Sequence, residues 1–184
     1  QVTNMSYMFY GLYGISYLDL SSFNTSNVTN MEGMFHYSMS FNTLDLSSFD
    51  TSKVTNMSAM FRNCSSLTSL NLSSFDLSGI KSDSAVSYMF SGCSKINTLY
   101  TPKNIPEGLE IELSGYYADS NGNLVKSLTK ESCSTLLTKS AAIEGPKKMK
   151  VGDSAQLQIK LGEFLQDISI NSHFYWSTSA SNVA

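Results

Sequence analysis

The fold class predicted from the sequence is a repeat solenoid of the leucine-rich type, built of short parallel strands and short helical turns. A small β-cap and a truncated β-sandwich follow it. Three observations predict the repeats. Met-Phe pairs fall at Met8-Phe9, Met34-Phe35, Met60-Phe61 and Met89-Phe90, in steps of 26, 26 and 29 residues. The Ser-Ser-Phe triplet ends at Phe23, Phe49 and Phe75, again 26 apart. Leu-Asx-Leu stands at Leu18-Asp19-Leu20, Leu44-Asp45-Leu46 and Leu70-Asn71-Leu72, with a worn fourth copy at Leu99-Tyr100-Thr101. A period of about 20–30 residues with leucines at fixed offsets implies units that bury their apolar sides only by stacking.

Within one unit, "LTSLNL" alternates as a half-buried strand does, with Leu70 and Leu72 facing in and Ser69 and Asn71 facing out. Such strands, stacked about 4.8 Å apart, make a parallel sheet. Phe23, Phe49 and Phe75 are then expected to form an inward aromatic column. "VTNM" reads as a second short strand or extended turn, and its recurring Asn4, Asn30 and Asn56 suit a role in satisfying backbone groups at turns. "SAMFRNC" reads as one helical turn with Met60, Phe61 and Cys64 inside. Cys64 and Cys93 share a repeat position, where earlier copies hold Leu12 and Ser38. Either they form a buried column of small apolar groups, or adjacent rungs bring them within reach of a disulfide. The three extra residues of the last step lie in "DLSGIKSDSAVSY", where a loop is expected to bulge.

The solenoid is assigned to residues 1–101. "TPKNIPEG", with two prolines and a glycine, reads as a boundary. Residues 102–140 read as a β-cap over the end of the stack. There Leu109, Ile111 and Leu113 alternate inward against Glu110 and Glu112, and Asn121-Gly122 marks a hairpin turn before "LVKSLT" and "STLLTKS". Residues 141–184 alternate clearly at Ala155, Leu157, Ile159 and Leu161, and read as part of a sandwich that normally needs more strands.

Composition excludes several functions. A net charge of −3 offers no basic face for nucleic acid. No apolar run approaches the roughly 18 residues of a membrane span, and no export signal pattern is present. Three cysteines, Cys64, Cys93 and Cys133, give neither an even disulfide framework nor zinc-ligand spacing. His36 and His173 stand alone, and His36 follows a Met-Phe pair in a column that also holds Tyr10, Arg62 and Ser91, as a solvated side chain would. Ser78 to Lys81 and Ser127 to Lys130 match Ser-x-x-Lys, but in a serine-rich chain without Lys-Thr-Gly the match is expected by accident. The paired columns Asp19 with Asp45, and Asp50 with Asp76, admit either a calcium column or a solvated face. Tyr7, Tyr10, Tyr13, Tyr17 and Tyr37 cluster early, either for packing or as the adaptable surface that Tyr, Ser and Asn provide together. No catalytic residue, cofactor or metal ligand is assigned, and the chain is read as a non-enzyme.

"LDLSSFDTSKVTNMSAMFRNCSSLTSLNLSSFD" resembles the repeat of BspA-like leucine-rich-repeat surface proteins of bacteria, and the likeness covers residue 1 to about residue 101. Val151-Gly152-Asp153, Trp176-Ser177 and Val183-Ala184 are similar to the first half of a group 2 bacterial immunoglobulin-like domain. The resemblance implies an exported, extracellular protein, at the cell surface or associated with the cell wall, and a role in adhesion and protein binding. Both ends of the chain are then expected to be cuts from a longer surface protein.

Together these readings predict a protein-binding or adhesion module. Its face would be the outward strip Tyr17, Asp19, Thr43, Asp45, Ser69 and Asn71. The expected partner is a host or bacterial surface protein or glycan, with no nucleic acid, no direct membrane insertion and a monomeric state. The alternatives are a structural spacer, or a carbohydrate-binding accessory domain of a secreted hydrolase. The last would need Tyr10, Tyr13 and Tyr17 coplanar and exposed.

Overall fold

The structure is a computed structural model that describes residues 1–140, 142–144, 157–161 and 164–168. It divides into two units, Gln1–Ser140 and Ala141–Ala184.

The first unit is built from turns before it is built from strands. At nine points in the repeats an Asx side chain accepts a hydrogen bond from the backbone N–H two residues on: Asn4, Asp19, Asn24, Asn30, Asp45, Asp50, Asn56, Asn71 and Asp76. This is the Asx-turn, which offers the backbone a bend in place of a ladder. It explains why the first three repeats hold Asp or Asn at the same three offsets.

Around each Met-Phe pair the backbone turns twice through the left-handed region. Tyr7, Gly33, Ala59 and Tyr88, just before the Met, have φ between 54 and 58°. Gly11, Tyr37, Asn63 and Gly92, two residues after the Phe, have φ between 60 and 78°. Residues in that region end a right-handed helix, so the expected helical turn over "SAMFRNC" does not form. Instead the amides alternate. Met8, Tyr10, Met34 and His36 close turns on the carbonyls of Met5, Tyr7, Met31 and Gly33. The amides between them reach the next repeat. Tyr7, Phe9 and Gly11 donate to Glu32, Met34 and His36; Gly33, Phe35 and Tyr37 donate to Ser58, Met60 and Arg62; Ala59, Phe61 and Asn63 donate to Ser87, Met89 and Ser91, all at 2.7–3.1 Å. Both backbone demands are thereby met without a helix.

The strands form one mixed sheet. β1 (Thr43–Leu44), β2 (Ser69–Asn71) and β3 (Thr98–Tyr100) run parallel. β4 (Ile111–Ala118), β5 (Leu124–Leu128) and β6 (Leu136–Lys139) join them in the order β1-β2-β3-β6-β4-β5, and every pairing beyond β3 is antiparallel. The described residues hold no α-helix, only two 3-10 turns at Asp83–Val86 and Lys130–Ser132. The prediction of a leucine-rich-type solenoid of parallel strands and helical turns is therefore wrong. The physical reason is twofold: left-handed turns replace the helices, and β6 hydrogen-bonds directly to β3, so the would-be cap continues the sheet.

Burial follows the alternation of each strand. Leu70, Leu72 and Leu99 are fully buried, Ile111, Leu113 and Leu137 are buried in the antiparallel half, and Asn71, Glu110 and Glu112 are exposed. The aromatic column differs from the expected one. Phe9, Phe35, Phe61 and Phe90 stack in succession, with ring centroids 5.5, 5.8 and 6.0 Å apart and interplanar angles of 16°, 1° and 5°. Phe49 and Phe75 are buried, but among the described residues no ring pair joins Phe23, Phe49 and Phe75. Each stacked pair adds about 0.5–1.5 kcal/mol beyond its burial. Beside the column, Ser38 Oγ donates to the Phe9 carbonyl at 2.6 Å, Cys64 Sγ to that of Phe35 at 3.1 Å, and Cys93 Sγ to that of Phe61 at 2.9 Å. The two thiols are free. In the extended third step the chain passes so close that a Cβ on Gly79 would lie 2.3 Å from the Val54 carbonyl oxygen.

In the second unit, β7 (Ala142–Glu144), β8 (Leu157–Leu161) and β9 (Phe164–Ile168) form a three-stranded antiparallel sheet in that order. The partial sandwich expected over residues 141–184 rests largely on positions outside the described residues. Ala155, His173, Val151-Gly152-Asp153, Trp176-Ser177 and Val183-Ala184 lie outside the described residues.

Candidate interaction surface

Two surfaces of the first unit present side chains that the core does not use. One is the outward face of the sheet. Thr43 is in register with Ser69, Ser69 with Thr98, and Thr98 with Thr138. A row of hydroxyl groups thus crosses four strands. Asp45 and Asn71 follow the paired leucines Leu44 and Leu70, and Asn71 is in register with Tyr100. Of the six strip residues predicted, the register brings together Thr43, Ser69, Asp45 and Asn71. Tyr17 and Asp19 precede β1 in a segment outside any strand. Tyr17 is 78% exposed, and Asp19 lies near enough to Asp45 for its charge to be felt there. Sequence reasoning missed Thr98, Thr138 and Tyr100, because no local pattern tells β3 that β6 is its neighbour.

The acidic columns are occupied by turn chemistry. Asp19 and Asp45 are held below the usual carboxylate range by hydrogen bonds from Ser21 and Ser47, and Asp50 by those from Ser52. Among the described residues no group of three or more His, Cys, Asp or Glu side chains gathers as a metal site would require. Neither Ser-x-x-Lys match pairs a hydroxyl with an amine. Lys81 Nζ donates to the Ser78 carbonyl, and Ser127 Oγ to Glu110, while Lys130 bonds Glu107.

The second surface is an aromatic flank at the Met-Phe turns. The expected solvated histidine is instead half-buried, with both ring nitrogens of His36 inaccessible and without hydrogen-bond partners. Its ring stacks on Tyr37 at 4.5 Å and meets the Tyr10 ring edge-on at 5.4 Å. Tyr10 also meets Tyr7 and Tyr37 edge-on, at 6.1 and 6.0 Å. One repeat further on, the Arg62 guanidinium lies over the Tyr88 ring, 5.1 Å from its centroid. Burial and the nearby Arg62 charge both lower the pKa of His36, which favours the neutral ring. Tyr7 donates to Glu32 Oε1 at 2.8 Å, and Asn56 to Oε2 at 3.1 Å. The signal for this flank was the column Tyr10, His36, Arg62, which holds a planar side chain in three successive repeats.

The fold and these surfaces define a repeat-built β protein with a hydroxyl-rich face. The chain belongs to the family described as "Mycoplasma protein of unknown function, DUF285", whose model matches residues 1–102. That family is surface-associated and has no assigned function. No curated protein and no solved structure matches the chain. Among the described residues no helix is long and apolar enough to cross a membrane.

Proposed function

We propose that the chain is a non-catalytic recognition module, displayed extracellularly by a bacterial surface protein and used for adhesion or protein binding. The observation that carries this reading is the register-aligned row Thr43, Ser69, Thr98 and Thr138, flanked by Asp45, Asn71 and Tyr100, on strands fixed by main-chain hydrogen bonds. Side chains held at fixed spacing lose little freedom when an extended partner binds, which lowers the ordering cost of association. The family is surface-associated, and the resemblance to BspA-like repeats and to an immunoglobulin-like stalk supports display from the cell envelope. Tyr10, Tyr13 and Tyr17 are all exposed, at 52%, 66% and 78%, and the carbohydrate-binding alternative would further need their rings to lie in one plane.

Beads coated with the chain should adhere to host cells above uncoated beads. Thr43→Lys with Thr138→Lys, two exposed row positions outside the Asx-turns, should reduce that adhesion several-fold and leave the melting transition within about 0.5 kcal/mol, as surface changes do. Unchanged adhesion by the double variant would remove the strip from the binding face. Absence of adhesion by any form would remove the recognition reading itself.

A further inference from the structure

We infer that the aromatic flank is a docking site for an acidic segment of a partner protein, with a carboxylate of that segment seated on the Arg62 guanidinium. The inference rests on the recognition reading and adds a site, a chemical class and an anchor residue to it.

The flank carries a cation that has no carboxylate partner among the described residues. The Nε of Arg62 is buried without a partner, and among the described residues no hydrogen bond or ion pair reaches this guanidinium. A cation over an aromatic face is stabilised by the ring, yet its charge is not neutralised. The hydroxyls of Tyr10, Tyr37 and Tyr88 make no hydrogen bond among the described residues, and Tyr10 and Tyr88 are 52% and 63% exposed. The one carboxylate close by, Glu32, already accepts from Tyr7 and Asn56, one donor on each oxygen. An incoming group that supplies acceptors is therefore complementary, and a carboxylate matches the guanidinium fork best.

Ring geometry points the same way. The edge-on contacts of Tyr10 with Tyr7, His36 and Tyr37 give a stepped surface and not a flat one. A stepped surface suits a peptide with side chains at intervals better than the flat face of a sugar ring. Ring edges carry the positive end of the aromatic quadrupole and so also favour anionic atoms. The flank is built to hold its shape. A Cβ on Gly33 would lie 2.3 Å from the Tyr7 ring, so that ring rests directly on the glycine backbone.

The test uses the whole chain and three probes at low ionic strength, read by fluorescence polarisation or by competition. One is a fluorescein-labelled peptide of alternating glutamate and serine, the second its glutamine counterpart, and the third heparin. The glutamate peptide should bind saturably, and the glutamine peptide at least tenfold more weakly. Arg62→Gln should weaken the glutamate peptide at least tenfold, and Tyr10→Ser by a smaller factor, with melting temperatures checked for both. Two variants guard against one that fails to fold. Equal binding of the two peptides, or wild-type binding by a folded Arg62→Gln protein, would overturn the proposal. So would heparin binding in the absence of peptide binding, or no saturable binding of any probe. Bead adhesion that survives Arg62→Gln alongside lost peptide binding would leave the recognition reading standing and exclude the flank from adhesion.

Discussion

The Cys64 thiol donates to the carbonyl oxygen of Phe35, one repeat earlier, at 3.1 Å. Ser38 makes the same bond to Phe9, and Cys93 to Phe61. The position therefore asks for a small side chain with a donor, and sulfur chemistry is not required of it. Cys64→Ser should be milder than Cys64→Ala, which forfeits the bond at about 1 kcal/mol. Burial raises both thiols, Cys93 to about 12, so neither should react with a thiol reagent until the chain unfolds. Rapid labelling of Cys64 or Cys93 in the native protein, or a bridged peptide in most molecules under non-reducing conditions, would contradict this.

Phe61 stacks on Phe35 to one side and Phe90 to the other. Phe61→Ala should cost about 3–5 kcal/mol in a urea melt, as burial of a truncated aromatic implies. Phe9 is half-buried and has a stacked neighbour on one side alone. Its alanine variant should lose distinctly less. Equal losses would mean that the column does not act as a stack.

Gly79 has no left-handed backbone angle, yet a Cβ there would meet the Val54 carbonyl at 2.3 Å. Backbone cannot swing aside as a side chain can. Gly79→Ala should destabilise by about 1–3 kcal/mol, in the range of overpacking. A neutral result would show that the extended third step yields locally.

Two titrations should mark the acid side of the stability curve. His36, lowered from 6.5 by burial and then by Arg62, takes up a proton less readily folded than unfolded. Stability should decline as the pH falls below about 6.5 and level off once the folded ring is protonated. The groups that face it are Tyr7, Tyr10, Tyr37 and Arg62. Asp19, Asp45 and Asp50 are lowered from 3.8 by hydrogen bonds from serines. Their contribution is present above that value and is lost as the pH drops through the folded pKa. Melting temperatures across this range should show both declines, and His36→Gln should abolish the upper one alone.

The repeat period and the inward leucines were legible in the sequence, because alternation at Leu70 and Leu72 reflects a strand's two faces directly. The Met-Phe segment misleads, since Met60, Phe61 and Cys64 stand where one face of a helix would place them. The countersign is at other positions: Gly11, Gly33, Asn63 and Gly92 all tolerate left-handed backbone, and they recur on either side of the pair. Two phenylalanines per repeat share one period, so periodicity alone does not say which of them stack. The pairing of β6 with β3 is long-range and leaves no local trace. Of the candidate sites, half of the strip follows from alternation. The flank depends on how Tyr10, His36 and Arg62 from three repeats meet, which the backbone turns decide.

The alternating amides of the Met-Phe turns give the array a direction. Each unit offers carbonyls to the unit before it and N–H groups to the unit after it, at the same residues every time. A unit copied between two others would find an acceptor row on one side and a donor row on the other, whatever its surface side chains. Gene duplication or unequal recombination at this period can therefore lengthen or shorten the protein without a new interface having to evolve. The length of the array and the number of presented surfaces become heritable quantities that change in whole steps, while the exposed side chains remain free to drift.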